Sequence, residues 1–400
     1  MSLNKPFRDA FGKHLIVSFL LVIGLAAQFR CVAQTPIAAA PDFKEIAPGV
    51  EYSQVIRGAS SKEAATGPWL INLLRVDLLR NKLRLVHAMD EAVGLETVSS
   101  MAARYGAVAA INSGYFRTTG TYRGDSIGVA MLEGKLLSET YSDRAALGLI
   151  EQDNKTEVIF GHLRFAGTLT AKGVSHTVNG VNRPLTANEL IVFTPQFHVT
   201  TLTDPDGIEV AVRNGKVTGV RDLSGSTRIP ANGYVISAVG SARDWARKNL
   251  RKGSPVTLSL QLAAVEPTQR KLWHRSTNIV GGGPQLIKGG KVEITNKEEK
   301  ILPAFVSDRH PRTAAAKLNS GKLLLVTVDG RQAGVSVGMS LTELANLLLE
   351  FGAVDAINLD GGGSTTMIVK NKIVNKPSDQ TGERPVSDAI LILPRSSGPR

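Results

Sequence analysis

"SLTELANLLLEFGAVDAINLDGGGSTT" (340–366) packs a helix, a stop, a strand and a loop into one short run. Ser340 stands where an N-cap belongs, with Glu343 three residues on at capping-box spacing. Leu341, Leu344, Ala345, Leu348 and Phe351 fall on one helical face. Gly352 supplies the left-handed residue that stops the helix, and "AVDAINL" follows as a mostly apolar strand. Gly361, Gly362 and Gly363 then let the backbone turn sharply after Asp360 and bring N–H groups near an anion, while Ser364, Thr365 and Thr366 add hydroxyls. The loop lacks the lysine and the following helix of a nucleotide P-loop, which argues against ATP.

The same phrase occurs earlier. "RYGAVAAIN" (104–112) and "EFGAVDAIN" (350–358) agree at six of nine positions. The earlier copy also reads as a helix (95–105), a glycine stop at Gly106 and a strand (107–112). Each strand delivers polar residues at its end: Asn112, Ser113, Gly114 and Tyr115 from one, Asn358 and Asp360 from the other. A third strand, "KLLLVTV" (322–328), ends in Asp329. Ligands of open sheets sit at the carboxyl ends of strands, so these ends define one expected site. The strand–helix–strand spacing over 323–359 is that of a crossover unit. Parallel neighbours would set Asp329 and Asp360 side by side; an antiparallel pairing would part them. "SDRHPRTAAA" (307–316) adds Arg309, His310 and Arg312, groups suited to a phosphate or a carboxylate, and "ERPVSDAILI" (383–392) adds Arg384.

Working outward, residues 127–300 read as short strands punctuated by turns such as "EGK", "NGK" and "PDG". The fold class is therefore α+β and β-rich, with mixed or antiparallel sheets and a few flanking helices. Residues 1–33 carry Lys5, Arg8 and Lys13, an apolar run from Leu15 to Ala27, and small residues near Ala33, the grammar of a secretory signal peptide. The run is short for a membrane span, so none is expected after cleavage, and the protein is expected in the periplasm or secreted. Residues 34–48 read as a linker, 49–94 as strands packing on the main domain, 95–393 as that domain, and 394–400 as a tail. Cys31 is the only cysteine, which leaves no thiol nucleophile and no zinc–thiolate site in a processed chain. Of the net charge of +12, the first 33 residues hold +3. The remaining basic residues are scattered, with short clusters such as "RDWARKNLRK" (243–252), and no nucleic-acid module is present. An anionic glycan or cell-envelope partner suits the sign better.

Six motifs in order, "AINSGYF", "GGGPQLI", "RHPRTA", "VTVDGRQ", the 338–367 block and "ERPVSDAI", resemble the phosphodiester glycosidase domain family over about 95–393. Two departures are Ser113, where that family more often has glycine, and "AAAK" (314–317), where a glycine usually follows Arg-Thr-Ala. The resemblance implies hydrolysis of a sugar-1-phosphodiester to free sugar and a phosphomonoester, with N-acetylglucosamine one candidate sugar. It implies site positions at Asn112, Gly114, Tyr115, Arg312, Asp329, Asp360, Gly361 to Ser364 and Arg384. A phosphomonoester, with a second pKa of about 6, leaves well with little protonation. The chemistry then asks for a carboxylate near the anomeric carbon and cations on the phosphate. Asp360 is expected as nucleophile or base, Asp329 to orient water or sugar, and His310 either to assist or to be structural. Arg309, Arg312, Arg384, Thr365 and the glycine-loop N–H groups are expected to bind phosphate or sugar. No cofactor is required. Asp329, Asp360 and Asn112 are also oxygen ligands for calcium or magnesium in an alternative metal-dependent phosphodiesterase. A second alternative is a non-catalytic protein that binds anionic glycans.

Overall fold

The computed structural model describes residues 41–58 and 67–395. The signal-peptide reading and most of the tail lie outside them. Two antiparallel sheets face one another. The first has eight strands, in the order Lys44–Ala47, Val50–Arg57, Trp69–Val76, Leu323–Val328, Arg312–Leu318, Ala353–Leu359, Gln285–Lys288 and Lys291–Val292. The second has five: Lys372–Ile373, Met367–Val369, Ala109–Asn112, Asp388–Pro394 and Asn81–His87. The α+β, β-rich architecture is thus the fold. Residues 44–47, inside the stretch read as a linker, form the edge strand of the first sheet.

Period-two alternation decides what each face meets. Leu74, Val76, Leu323, Leu325, Ile357 and Leu359 of the first sheet pack against Leu83, Leu85, Ile111, Met367, Ile390 and Ile392 of the second. The alternate residues of the first sheet, among them Leu73, Leu324 and Val326, pack under helix Leu341–Glu350 through Leu341, Leu344, Ala345 and Leu348. On the far side, Ala110, Ile368 and Leu391 pack under helix Val98–Arg104 through Val98, Met101 and Ala102. The layers run helix, sheet, sheet, helix. The duplicated phrase accounts for both halves of this sandwich: each copy is one outer helix followed by one inner strand.

Both helices start as their sequences dictate. Ser340 accepts a hydrogen bond from the Glu343 amide, and the Glu343 carboxylate closes the reciprocal bond to the Ser340 amide. Thr97 caps the other helix by accepting from the Ser100 amide. Each such cap contributes about 1 kcal/mol. Gly352 ends the first helix in the left-handed region at φ +83°.

The middle of the chain builds two more sheets. The 17-residue strand Lys155–Ala171 runs from the main body, where it pairs with Ala145–Gln152, outward to Val174–Val178 and Val256–Ala264. A five-stranded sheet ordered Gly180–Val181, Leu190–Phe193, Gly233–Ala238, Ile208–Arg213 and Lys216–Asp222 carries helix Gly240–Asn249 and its own core of Leu190, Val192, Val210, Val212 and Ile236. No helix among the described residues is long and apolar enough to cross a membrane.

Candidate active site

The ends of the two duplicated strands meet. Asn112 Nδ2 donates to the carbonyl of Asp360 at 2.6 Å, and the Asp360 amide donates to the carbonyl of Ser113 at 2.9 Å. The crossover expectation needs correction. Leu323–Val328 and Ala353–Leu359 are not neighbours: Arg312–Leu318 lies between them, antiparallel to both. The two outer strands therefore run the same way, and Asp329, Arg312 and Asp360 emerge at one sheet edge in that order. One strand separates the carboxylates, a spacing of about 10 Å for two strand widths.

Asp360 keeps some exposure at the seam. Removal from water pushes its carboxyl up to about 7; the Ser364 hydroxyl pulls it down, the nearby Asp388 charge adds to the rise, and Arg384 opposes it. Asp329 is 1% exposed, and burial pushes it up to about 6 against the Lys376 amide and the Asn375 side chain. Its Oδ2 accepts from the Lys376 amide at 2.8 Å, whereas Oδ1 has no partner among the described residues. A residue sealed in this way reaches water more readily than a sugar.

Asn112 is committed to the protein. Its Oδ1 accepts from the Thr313 hydroxyl and the Thr366 amide, each at 3.0 Å, so both side-chain atoms are engaged. That arrangement clamps the Asp360 loop to the opposite sheet and leaves Asn112 poorly placed as a metal ligand. Among the described residues, no group of three or more His, Cys, Asp or Glu side chains is arranged to hold a metal ion. Tyr115 donates its hydroxyl to the Gly283 carbonyl at 2.9 Å and accepts from Asn358 Nδ2 at 2.7 Å. Burial raises its pKa well above the ordinary value, with the Asp360 charge adding to the rise.

The arginines divide. Arg312 is 1% exposed, and its Nε and Nη2 donate to the carbonyls of Met339, Phe305 and Asp308 at 2.7 to 2.8 Å. Burial pushes it down to about 10. It braces the 303–311 segment from inside through Nε and Nη2, while Nη1 makes no hydrogen bond among the described residues. Arg309 forms a two-pronged ion pair with Glu343, the residue that also closes the capping box, and so is likewise engaged. Arg384 pairs with Asp379 at 2.7 Å and lies where a Cβ on Gly363 would be, 2.0 Å from its Nη2. Arg331, in "VTVDGRQ", is the cation that sequence reasoning missed. It is exposed, in the left-handed region at φ +61°, forms no ion pair among the described residues, and lies 3.1 Å from where a Cβ on Gly362 would be. Its Nη2 is 3.4 Å from His310 Nδ1, and burial together with the Arg312 and Arg331 charges lowers the pKa of that histidine.

The glycine loop is less open than its composition implies. The Gly362 amide donates to the Pro311 carbonyl, Ser364 to Gly361, and Thr365 to Gly362. Gly362 itself takes φ +61°. The loop's main service is to let two guanidiniums, Arg331 and Arg384, approach the backbone beside Asp360. Ser364 and Thr365 are buried, Ser364 facing the Asp360 carboxyl and Thr365 facing Thr313 at 3.4 Å.

A buried network behind the seam escaped the sequence reading. Asp388 accepts from the Ser113 hydroxyl and the Gly114 amide, both at 2.5 Å, and from the Ser387 hydroxyl at 3.0 Å. His87, paired with it across adjacent strands, places Nε2 4.0 Å from Asp388 and 3.0 Å from the Ser126 hydroxyl. Gly114 is needed there: a Cβ would lie 2.9 Å from the Asp388 carboxylate. The sequence signal was the aspartate closing "ERPVSD", a carboxylate at the mouth of an otherwise apolar strand.

Residues 206–393 match the family model for phosphodiester glycosidase. The chain is similar to that family over a stretch that contains Asp329, Asp360 and Arg384, with Asn112 and Tyr115 lying before it. Among curated relatives, a bovine N-acetylglucosamine-1-phosphodiester alpha-N-acetylglucosaminidase is 29% identical over 184 residues, covering 44% of this chain and 34% of that protein. The human protein of the same name is 31% identical over 138 residues, covering 32% and 26%. The chain thus spans about a third or less of the length of these relatives. A solved Burkholderia pseudomallei protein is 27% identical with a TM-score of 0.73, covering 82% of this chain and 74% of that one. A solved Synechocystis protein, 24% identical with a TM-score of 0.74 over 90% and 65%, shares the fold.

Proposed function

We propose that this protein is an exported hydrolase that cleaves the bond between a sugar's anomeric carbon and a phosphodiester in a phosphorylated glycan or cell-envelope polymer. One observation carries the reading. Asp360, a carboxyl tuned to about 7, stands at the seam of two sheets beside a glycine loop that brings Arg331 and Arg384 close. Asp360 serves as base, taking a proton from water, or as nucleophile. Either way a new bond forms to the anomeric carbon, the carbon–oxygen bond to phosphorus breaks, and its electrons leave with the phosphomonoester. Arg331 and Arg384 offset the charge that gathers on that phosphate, and Asp329 holds a water through its unpaired oxygen. N-acetylglucosamine is the sugar in the names of the mammalian relatives and the first to try here. Export is supported by the 1–33 segment and by the Burkholderia neighbour, described as a candidate exported protein.

The test is release of sugar and phosphomonoester, in equal amounts, from an N-acetylglucosamine-α-1-phosphodiester. Asp360→Asn should slow release by about 10³-fold, the size expected of a lost acid–base group. Equal rates in the two proteins would remove Asp360 from the chemistry. Unchanged or tighter glycan binding by the variant, with no turnover in either protein, would favour the non-catalytic alternative.

A further inference from the structure

A cavity of about 770 Å³ opens one strand away from the site. Ile127 and Gly128 line it, and Ile127 pairs directly with Tyr115. Arg144 forms another part of the wall. Its Cδ lies 3.6 Å from where a Cβ on Gly283 would be, and the Gly283 carbonyl is the acceptor for Tyr115 and Asn358. The cavity therefore begins where the site ends. A second cavity of about 600 Å³ shares Arg117 and Thr186 with it, so the two form one trough between the main body and the inserted five-stranded sheet.

Most charges on the wall of the larger cavity are paired, whereas Asp204 and Asp206 on the wall of the second form no ion pair among the described residues. Arg183 is held by Glu139 and Glu189 and Asp143 by Arg164, while Arg117 lies 3.1 Å from Asp125, whose carboxyl burial pushes up to about 8. Arg144 forms no ion pair among the described residues, and its Nε reaches only the Glu299 carbonyl at 3.4 Å. Its guanidinium lies over the Tyr141 ring, 4.7 Å from the centroid. Tyr141 is 53% exposed. Ser142 and Asp143, which follow it, both sit in the left-handed region at φ +51° and +50°. They are the central residues of a tight turn closed by the Arg144 amide donating to the Tyr141 carbonyl at 3.2 Å, which fixes Tyr141 and Arg144 side by side. The turn is bent to hold an aromatic ring and an unpaired cation at the mouth of a trough too large for one sugar ring.

We propose that this trough is an aglycone subsite: it receives a saccharide chain continuing beyond the scissile phosphate, with a sugar ring on Tyr141 and an anionic substituent of the chain on Arg144. The proposal rests on the hydrolase reading above and deepens it by assigning the glycan beyond the phosphate to this trough, with Tyr141 and Arg144 as its contacts.

The experiment compares two substrates, a sugar-1-phosphate methyl ester and the same sugar-1-phosphate joined to a phosphorylated disaccharide, with wild type, Tyr141→Ala and Arg144→Gln. The ratio of kcat/KM for the extended substrate to that for the methyl ester should fall about tenfold in each variant, the scale of one charge-assisted contact. An unchanged ratio in both overturns the proposal. If wild type cleaves neither substrate, the hydrolase reading fails by itself, and the subsite is judged by titrating the phosphorylated disaccharide by calorimetry. Binding that weakens about tenfold in Arg144→Gln sustains it; absent binding, or binding equal in wild type and both variants, overturns it.

Discussion

Asn112→Ala tests whether the seam between the two sheets sets up the site. The substitution removes three hydrogen bonds, to the Asp360 carbonyl, from the Thr313 hydroxyl and from the Thr366 amide. All three partners lie at a position where Asn112 itself is 0% exposed, so water replaces them poorly. At about 1 kcal/mol per bond the loss is about 3 kcal/mol. For a chain of this size, at about 2.1 cal/mol/K per residue, that corresponds to a fall in Tm of about 4 °C. Asp360 also keeps only one backbone tie across the seam, from its amide to Ser113. Displacement of the carboxyl by about 1 Å should lower kcat about 100-fold with little change in KM. Asn112→Asp is the companion variant. It keeps an acceptor for Thr313 and Thr366 but sets a buried carboxyl against the Asp360 carbonyl, so kcat should again fall and Tm should fall at least as far. Thermal unfolding and initial-rate kinetics read both effects. A Tm within about 2 °C of wild type for Asn112→Ala, or full activity, would show that the clamp is not what holds Asp360.

Further expectations concern charge and space. With Asp360 as base or nucleophile, kcat/KM should rise with pH through about 7 and then level. Asp388→Asn removes a charge that raises this carboxyl, so the midpoint should shift down, by less than one unit; an upward shift would contradict the placement. Asp125 is 2% exposed, and burial pushes it up to about 8, so the folded state holds a proton that the unfolded chain releases near pH 4. Its contribution to stability is therefore lost as pH rises from about 4 to about 8. Asp125→Asn should flatten the decline in stability over that window in urea titrations, and an unaltered slope would exclude a buried neutral carboxyl. Gly361→Ala and Gly363→Ala should differ. The first Cβ meets the Pro311 carbonyl at 2.7 Å and cannot be relieved without moving backbone, so Tm should drop by several degrees; the second displaces the Arg384 and Asp379 side chains, so activity should suffer more than Tm. The reverse order, by calorimetry and rates, would refute this reading of the loop.

The sequence made the helices and inner strands legible because their signals are local. A capping serine, an apolar face, a glycine stop and an alternating strand all lie within 30 residues of one another, and the repeat doubled the evidence. Strand neighbours were not legible. Nothing within 323–359 announces that Arg312–Leu318 inserts between two strands joined by a helix, because that pairing is decided by residues outside the segment. Asp329 and Asp360 were visible as polar residues ending apolar strands. Which arginines are open was not. Arg309, Arg312, Arg331 and Arg384 look equivalent as letters. The structure commits Arg309 to Glu343 and Arg312 to three carbonyls, pairs Arg384 with Asp379, and leaves Arg331 without an ion pair among the described residues. Asp388 passed unnoticed because its meaning lies in Ser113 and Gly114, some 275 residues away in sequence.

The strand Asp388–Pro394 sits between Ala109–Asn112 and Asn81–His87, so a late segment of the chain completes a sheet begun by early ones. Contacts of such sequence separation form slowly, because a long loop must close before they return any energy. Until that strand docks, Ser113 and Gly114 lack their carboxylate, and the Asp360 loop has no finished surface to lean on. A chain emerging from its N-terminus would therefore carry every early site residue for most of its synthesis and remain without a site. The order of the letters acts as a timer, and the candidate site is complete only when Asp388–Pro394 closes the sheet.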